Sequence, residues 1–264
     1  MAAAPGAVPF LTGDFLPSSM FTTPLEYVLT CAILIVAQLV YVLFGFGSGL
    51  IAVGGLALLF PELKDVVVML LLVNLPAELL VSWRSRKEIR WRPIMGLGAG
   101  IAVGIPVGAW LLQTTEPQFI LTVLGWFLIG VGVLFVKLPP GGRYSPPAIA
   151  GPPTGLVSGL LTGLFGTGGP PLIVWYHLSG IGKSAFRANL MTVFLLMGII
   201  RVPSYLAAGL VTGPRLWSSL LVMPAVLFGA WLGHRLHVKI SEKVFQRLVS
   251  LLLAVLGAML LIRH

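Results

Sequence analysis

Two glycine-rich tracts, Gly45-Phe46-Gly47-Ser48-Gly49 and Gly166-Thr167-Gly168-Gly169-Pro170, interrupt a chain otherwise built from long apolar runs. Each tract follows one apolar run and precedes another, so each breaks a helix. If those runs lie in a bilayer, the break is a severe constraint, because lipid cannot hydrogen-bond the freed backbone groups. Such a break survives where it faces protein or a water-lined cavity, and paired breaks at matching points of two halves point to a transporter's binding site.

The bilayer follows from composition. The 264 residues are 57% hydrophobic and 9% charged, against roughly a quarter charged in soluble domains. Apolar segments near 25–44, 66–82, 93–112, 118–136, 148–165, 188–209, 214–233 and 244–262 approach or exceed the ~20 residues that span a bilayer. Two shorter ones, near 47–60 and 169–179, follow the glycine tracts. The expected fold is an all-α polytopic membrane protein with about ten transmembrane segments, eight long and two short. The net charge of +9 comes from basic residues gathered between the apolar runs, which fits the positive-inside pattern and excludes nucleic acid as a partner.

The halves match at one offset. Phe44-Gly45-x-Gly47 recurs as Phe165-Gly166-x-Gly168, Pro93 recurs as Pro214, and Gly108-Ala109-Trp110-Leu111 recurs as Gly229-Ala230-Trp231-Leu232, each displaced by 121 residues. Three landmarks sharing one shift indicate an internal duplication. Loop charges alternate in opposite senses in the two halves. Arg84, Arg86, Lys87, Arg90 and Arg92 have a partner region near 207–213 without bases, whereas Thr114-Thr115-Glu116 answers to Arg235, Lys239, Lys243 and Arg247. Likewise Pro61-Glu62-Leu63-Lys64-Asp65 is net acidic, while its partner carries Lys183 and Arg187. The positive-inside rule then makes the repeats inverted. The expected organisation is a tail over 1–24, a first repeat over 25–137, a linker over 138–147 and a second repeat over 148–264.

The candidate site follows from the breaks. Pro170-Pro171 suits the first turn of a helix. A helix starting there aims the positive end of its dipole at the glycine gap, the geometry of an anion site. The expected anion-binding residues are Gly47, Ser48 and Gly49 from the first tract and Thr167, Gly168 and Gly169 from the second. Arg201 lies deep in an apolar run, where a charge usually faces a cavity or a partner. It could balance an anion or pair with Glu78, and the residues leave both open. Asn74 and Asn189 join the candidate lining, and Glu78 is the candidate for coupling to protons. His177 could line a cavity or lie at the interface, and Gln38 reads as a packing polar. No nucleophile motif with its companions and no phosphate-binding Lys-Ser/Thr after a glycine loop is present, so neither an enzyme nor an ATP-driven pump is expected. No cofactor or metal is expected either; Cys31 is the single cysteine and lacks ligand spacing around it.

Phe44-Gly45-Phe46-Gly47-Ser48-Gly49-Leu50 and Gly163-Leu164-Phe165-Gly166-Thr167-Gly168-Gly169-Pro170-Pro171 resemble the two glycine signatures of the TauE/SafE sulfite-exporter family. Lys183-Ser184-Ala185-Phe186-Arg187-Ala188-Asn189, running into Arg201-Val202-Pro203-x-Tyr205-Leu206, is similar to the family's second half. The resemblance covers about residues 25–262. It implies a multi-pass exporter of the bacterial inner membrane whose substrate is a small sulfur anion such as sulfite, thiosulfate or a sulfonate. The alternatives are a passive anion channel or a carrier of another small solute.

Overall fold

A computed structural model describes residues 19–44, 47–137, 146–235 and 242–263. The tail over 1–18, Gly45 and Phe46 of the first tract, Lys239 and linker residues 138–145 lie outside the described residues. The described residues form ten α-helices and no strand: α1 (Pro24–Phe44), α2 (Ser48–Ala57), α3 (Leu63–Arg84), α4 (Trp91–Thr114), α5 (Pro117–Lys137), α6 (Gly151–Phe165), α7 (Gly169–Leu178), α8 (Lys183–Ala207), α9 (Gly213–Arg235) and α10 (Glu242–Arg263). Seven are long and apolar enough to cross a membrane: α1, α3, α4, α5, α6 with the turn before it, α8 and α9. The protein is therefore all-α and polytopic. α2 and α7 have 10 residues each, about 15 Å of helix or half a hydrocarbon core. Both ends of α2 and α7 are displaced by 121 residues, so the offset read from three landmarks also relates whole helices.

Local chemistry sets the helix ends. Thr23 caps α1: the Glu26 N–H donates to Thr23 Oγ1 at 3.2 Å, while the Glu26 carboxylate accepts from the Thr22 N–H at 2.9 Å. α6 stops at Gly166, whose φ of 72° is left-handed, with its N–H returned to Thr162 O. α7 restarts at Gly169 with Pro170 and Pro171 in its first turn.

Packing pairs the two halves. α1 lies along α9 and α4 along α6, while α5 meets α10 and α3 meets α8. Exchanging α1–α5 for α6–α10 leaves this set of pairs unchanged. The tightest seam is α4 with α6. A methyl on Gly100 would fall on Pro152 O, and one on Gly155 would fall on Leu97 O. Backbones in contact gain dispersion and close approach where lipid offers no hydrophobic drive. Overpacking a core costs about 1–3 kcal/mol when side chains can shift, and a backbone carbonyl shifts less readily. Gly155→Val is thus expected to lower the detergent melting temperature sharply or abolish the folded monomer. Gly130→Ala, with nothing within 4 Å of the added atom, should melt like the parent.

Each short helix folds back along the helix before it. α2 folds back along α1, with Gly55 beside Ile33 and Gly47 beside Val40. Phe60, just past α2, meets Phe21, just before α1, at 6.1 Å between ring centroids. The pair is a helical hairpin that returns to the end where it began. The second pair does the same from the opposite end. Gly151 at the start of α6 abuts Gly96, near the start of α4, and Tyr176 near the end of α7 meets Phe186. α1 is long and apolar enough to cross a membrane, and the turn at Gly47 makes it the first arm of a hairpin.

Charge sorts to the two ends. Glu62, Asp65 and Glu116 lie at the α1 end, where Arg215 of α9 binds Asp65 Oδ1 at 2.7 Å and Glu62 Oε2 at 3.5 Å. Arg84, Arg86, Lys87 and Arg90 lie at the other end, between α3 and α4.

Candidate functional site

The turns of the two hairpins meet. A methyl on Gly49 would sit 3.1 Å from Thr167 Oγ1, so the first turn of α2 touches the segment leading into α7. A cavity of about 50 Å³ opens at this junction. One water needs roughly 10–15 Å³ on the same measure, so there is room for a solute of a few heavy atoms.

Nine of the ten sequence-derived site residues line that cavity: Gly47, Ser48 and Gly49 from the first turn, Thr167, Gly168 and Gly169 from the second, Asn74 and Glu78 from α3, and Arg201 from α8. Asn189 does not. Its side chain is consumed at the basic end, accepting from the Arg90 N–H at 2.8 Å and donating to Ala185 O at 2.6 Å. It ties α8 to the start of α4, and it drops out of the candidate site. His177 lies in the last turn of α7, outside the lining. Gln38 is behind the lining, where its Nε2 donates to Asn74 Oδ1 at 3.4 Å.

The two helix starts differ chemically. α2 begins at Ser48 after Gly47, whose φ of 94° turns the chain. The first backbone N–H returned to the helix is that of Ile51, to Gly47 O at 3.1 Å. The N–H groups of Ser48, Gly49 and Leu50 have no earlier carbonyl within the helix to meet. α7 has prolines at the second and third positions, which carry no N–H at all. It contributes its dipole, while direct donors near it come from Gly169, Gly168 and the Thr167 hydroxyl. Serine and threonine of α6 fix this second turn: Ser158 Oγ donates to Gly168 O at 2.7 Å, and Thr162 Oγ1 donates to Ser158 O at 2.7 Å.

Arg201 is 5% exposed. Its Nη2 donates to Val67 O at 2.8 Å and its Nη1 to Gly166 O at 3.4 Å. Its guanidinium lies 5.0 Å over the Tyr205 ring, a cation–π contact. The Tyr205 hydroxyl donates to Gly163 O at 2.9 Å, tying the same assembly to the last turn of α6. Nε of Arg201 is buried with no hydrogen-bond partner. Among the described residues no ion pair joins Arg201 to Glu78. The carboxylate stands beside Gly198, its Oε2 within 3.3 Å of where a methyl there would be. Carbonyls orient the arginine, and the acid and the base face the cavity separately.

Sequence reasoning missed Tyr41, Leu50, Thr162, Gly166, Ile173, Phe194 and Met197 in the lining. Tyr205, four residues after Arg201 and so on the same helix face, carried a signal for the arginine's support. The apolar lining residues carried none, since they look like every other core side chain. Among the described residues no group of His, Cys, Asp and Glu is placed to hold a metal ion.

The family model described as sulfite exporter TauE/SafE matches residues 30–260. A Comamonas testosteroni protein named probable inner membrane transporter protein TsaS is 27% identical over 194 residues, covering 72% of this chain and 80% of the relative. A Cupriavidus necator protein named probable sulfite/organosulfonate exporter TauE is 26% identical over 226 residues, covering 83% of this chain and 87% of the relative. No solved structure matches the chain significantly.

Proposed function

The chain belongs to the sulfite exporter TauE/SafE family, a family of membrane transporters, and from that premise we propose that it is a secondary transporter exporting sulfite or a related small sulfur anion across the bacterial inner membrane. The anion binds where the two hairpin turns meet, held by backbone N–H groups of Ser48 and Gly49, by the Thr167 hydroxyl and by Arg201. The carrying observation is the buried Arg201 guanidinium, which lines a cavity that also receives the starts of α2 and α7.

The two halves are inverted repeats, with hairpins entering from opposite faces. The shared offset of α2 and α7 and the exchangeable helix pairs support this reading. The basic end faces the cytoplasm, and rocking one repeat against the other exposes the cavity to each side in turn. The small cavity favours sulfite or thiosulfate over bulky sulfonates.

The test is uptake of sulfite into proteoliposomes containing the purified protein, with thiosulfate, sulfoacetate and chloride as competitors. Saturable uptake spared by chloride is expected. Flux that rises without saturation would make the protein a channel, and flux equal to that of protein-free vesicles for every sulfur anion would sink the proposal.

A further inference from the structure

The cavity holds one fixed cation and one carboxylate that are not bonded to each other. Arg201 is oriented by Val67 O and Gly166 O, and Glu78 projects into the same space from α3 beside Gly198. The other helices packed on α3 bring little that could neutralise Glu78. α8 brings Arg201 and, near the basic end, Arg187. Of the charges on α9, Arg215 is held at the far end by Asp65 and Glu62, and Arg235, in its last turn, lies over the Trp231 ring outside the lining. α2, α5 and α6 bring no ionisable side chain to the lining. Tyr41 of α1 is the remaining titratable group there, and its hydroxyl is turned to Met191 Sδ.

An anion entering between Arg201 and the helix starts therefore shares about 50 Å³ with a carboxylate. Two negative charges in a confined site of low polarity do not both persist; one of them takes a proton. On the anion-site reading of this cavity, we propose that Glu78 is protonated each time a sulfur dianion is bound, so that the protein carries the anion and one proton together in the same direction. The balance is simple: carboxylate plus proton gives carboxylic acid on loading, and the reverse occurs on release at the other face. A dianion then crosses as a net single negative charge, and the inside-negative membrane potential favours its exit. This sign is opposite to proton exchange, in which a proton would enter as the anion leaves.

Thiosulfate is the suitable probe, because it stays a dianion near neutral pH, whereas sulfite takes up protons by itself. In proteoliposomes with a trapped pH dye, an inward thiosulfate gradient is expected to acidify the lumen with about one proton per anion. Glu78→Gln keeps the size and the hydrogen-bonding reach of the acid. It should still carry thiosulfate, within about tenfold of the parent rate, with no proton movement and a doubled charge per turnover. Luminal alkalinisation, thiosulfate entry without any pH change, or parent-like proton movement in Glu78→Gln would each overturn the inference while leaving anion transport standing. Should the glutamine variant not fold, Glu78→Asp must retain the proton movement, and calorimetry of the parent in buffers of different ionisation heat must show proton uptake on thiosulfate binding. If the parent neither carries nor binds thiosulfate or sulfite, the anion reading itself falls, and the inference with it.

Discussion

Arg201→Gln is expected to lower sulfite uptake by between about 30-fold and a few thousand-fold. Truncating one partner of a buried, hydrogen-bonded charge pair costs about 2–5 kcal/mol, and each ~1.4 kcal/mol is a factor of ten. The anion would lose its only fixed counter-charge among the described lining residues and keep the backbone donors and the Thr167 hydroxyl. Arg201 also holds Val67 O and Gly166 O, and hydrogen bonds from charged groups contribute about 1.5–3 kcal/mol each. The variant should therefore melt lower as well, and uptake must be scored per folded protein. Arg201→Lys separates the two roles. It keeps the charge but replaces a planar fork with a compact ammonium, which cannot bridge both carbonyls and still present a donor to the cavity. Intermediate uptake with a raised KM is expected. Parent-like uptake by Arg201→Gln, measured as initial rates in proteoliposomes, would remove the arginine from the site.

The residues most legible in the sequence were those that violate the membrane's rules. Arg201, Glu78 and Asn74 are polar groups in apolar runs, and the glycine tracts are broken backbone in helices. Each violation needs a cavity, and the cavity contains all of them. Asn189 violates the same rule for a different reason. It lies near the start of α8, where the chain is leaving the apolar layer, and its amide caps backbone of the α3–α4 connection. Polarity alone does not say which way round a helix a side chain points, nor how close to the end its position falls. The return of α2 along α1 was hidden for a similar reason. Nothing in Pro24–Phe44 distinguishes a helix whose successor folds back along it from one whose successor runs onward. The distinction lies in Phe60 coming back to Phe21, a contact between residues that no local pattern connects. The 121-residue offset, by contrast, rests on local identities, and it carried through to the ends of α2 and α7.

Gly168→Ala is expected to abolish uptake, whereas Gly169→Ala, one residue on, should leave a folded and active carrier. A methyl on Gly168 would fall on Ser158 O and Thr162 Oγ1. These belong to the two residues that hold the second turn, and Ser158 Oγ already grips the carbonyl of Gly168. Making room means moving α6 away from the turn, but α6 is locked backbone to backbone against α4 along Gly155, Gly159 and Gly163. The turn must give way instead, and with it the start of α7 and the carbonyl of Gly166 that orients Arg201. At Gly169 the added methyl would meet the Phe194 ring at 3.4 Å and Ile173 Cδ1 at 3.7 Å, ordinary side-chain contacts, and the backbone N–H stays in place. Its effect should be confined to the cavity volume, seen as a changed KM for sulfite with little change in melting temperature. Gly47→Ala provides a third comparison. Its nearest neighbour would be Val40 Cγ1 at 3.7 Å, so the penalty is the left-handed backbone alone, about 1–2 kcal/mol. The expected order of damage is Gly168, then Gly47, then Gly169. Initial rates of sulfite uptake at matched folded protein read that order, and a Gly168→Ala carrier as active as the parent would mean that the second turn does not form the site.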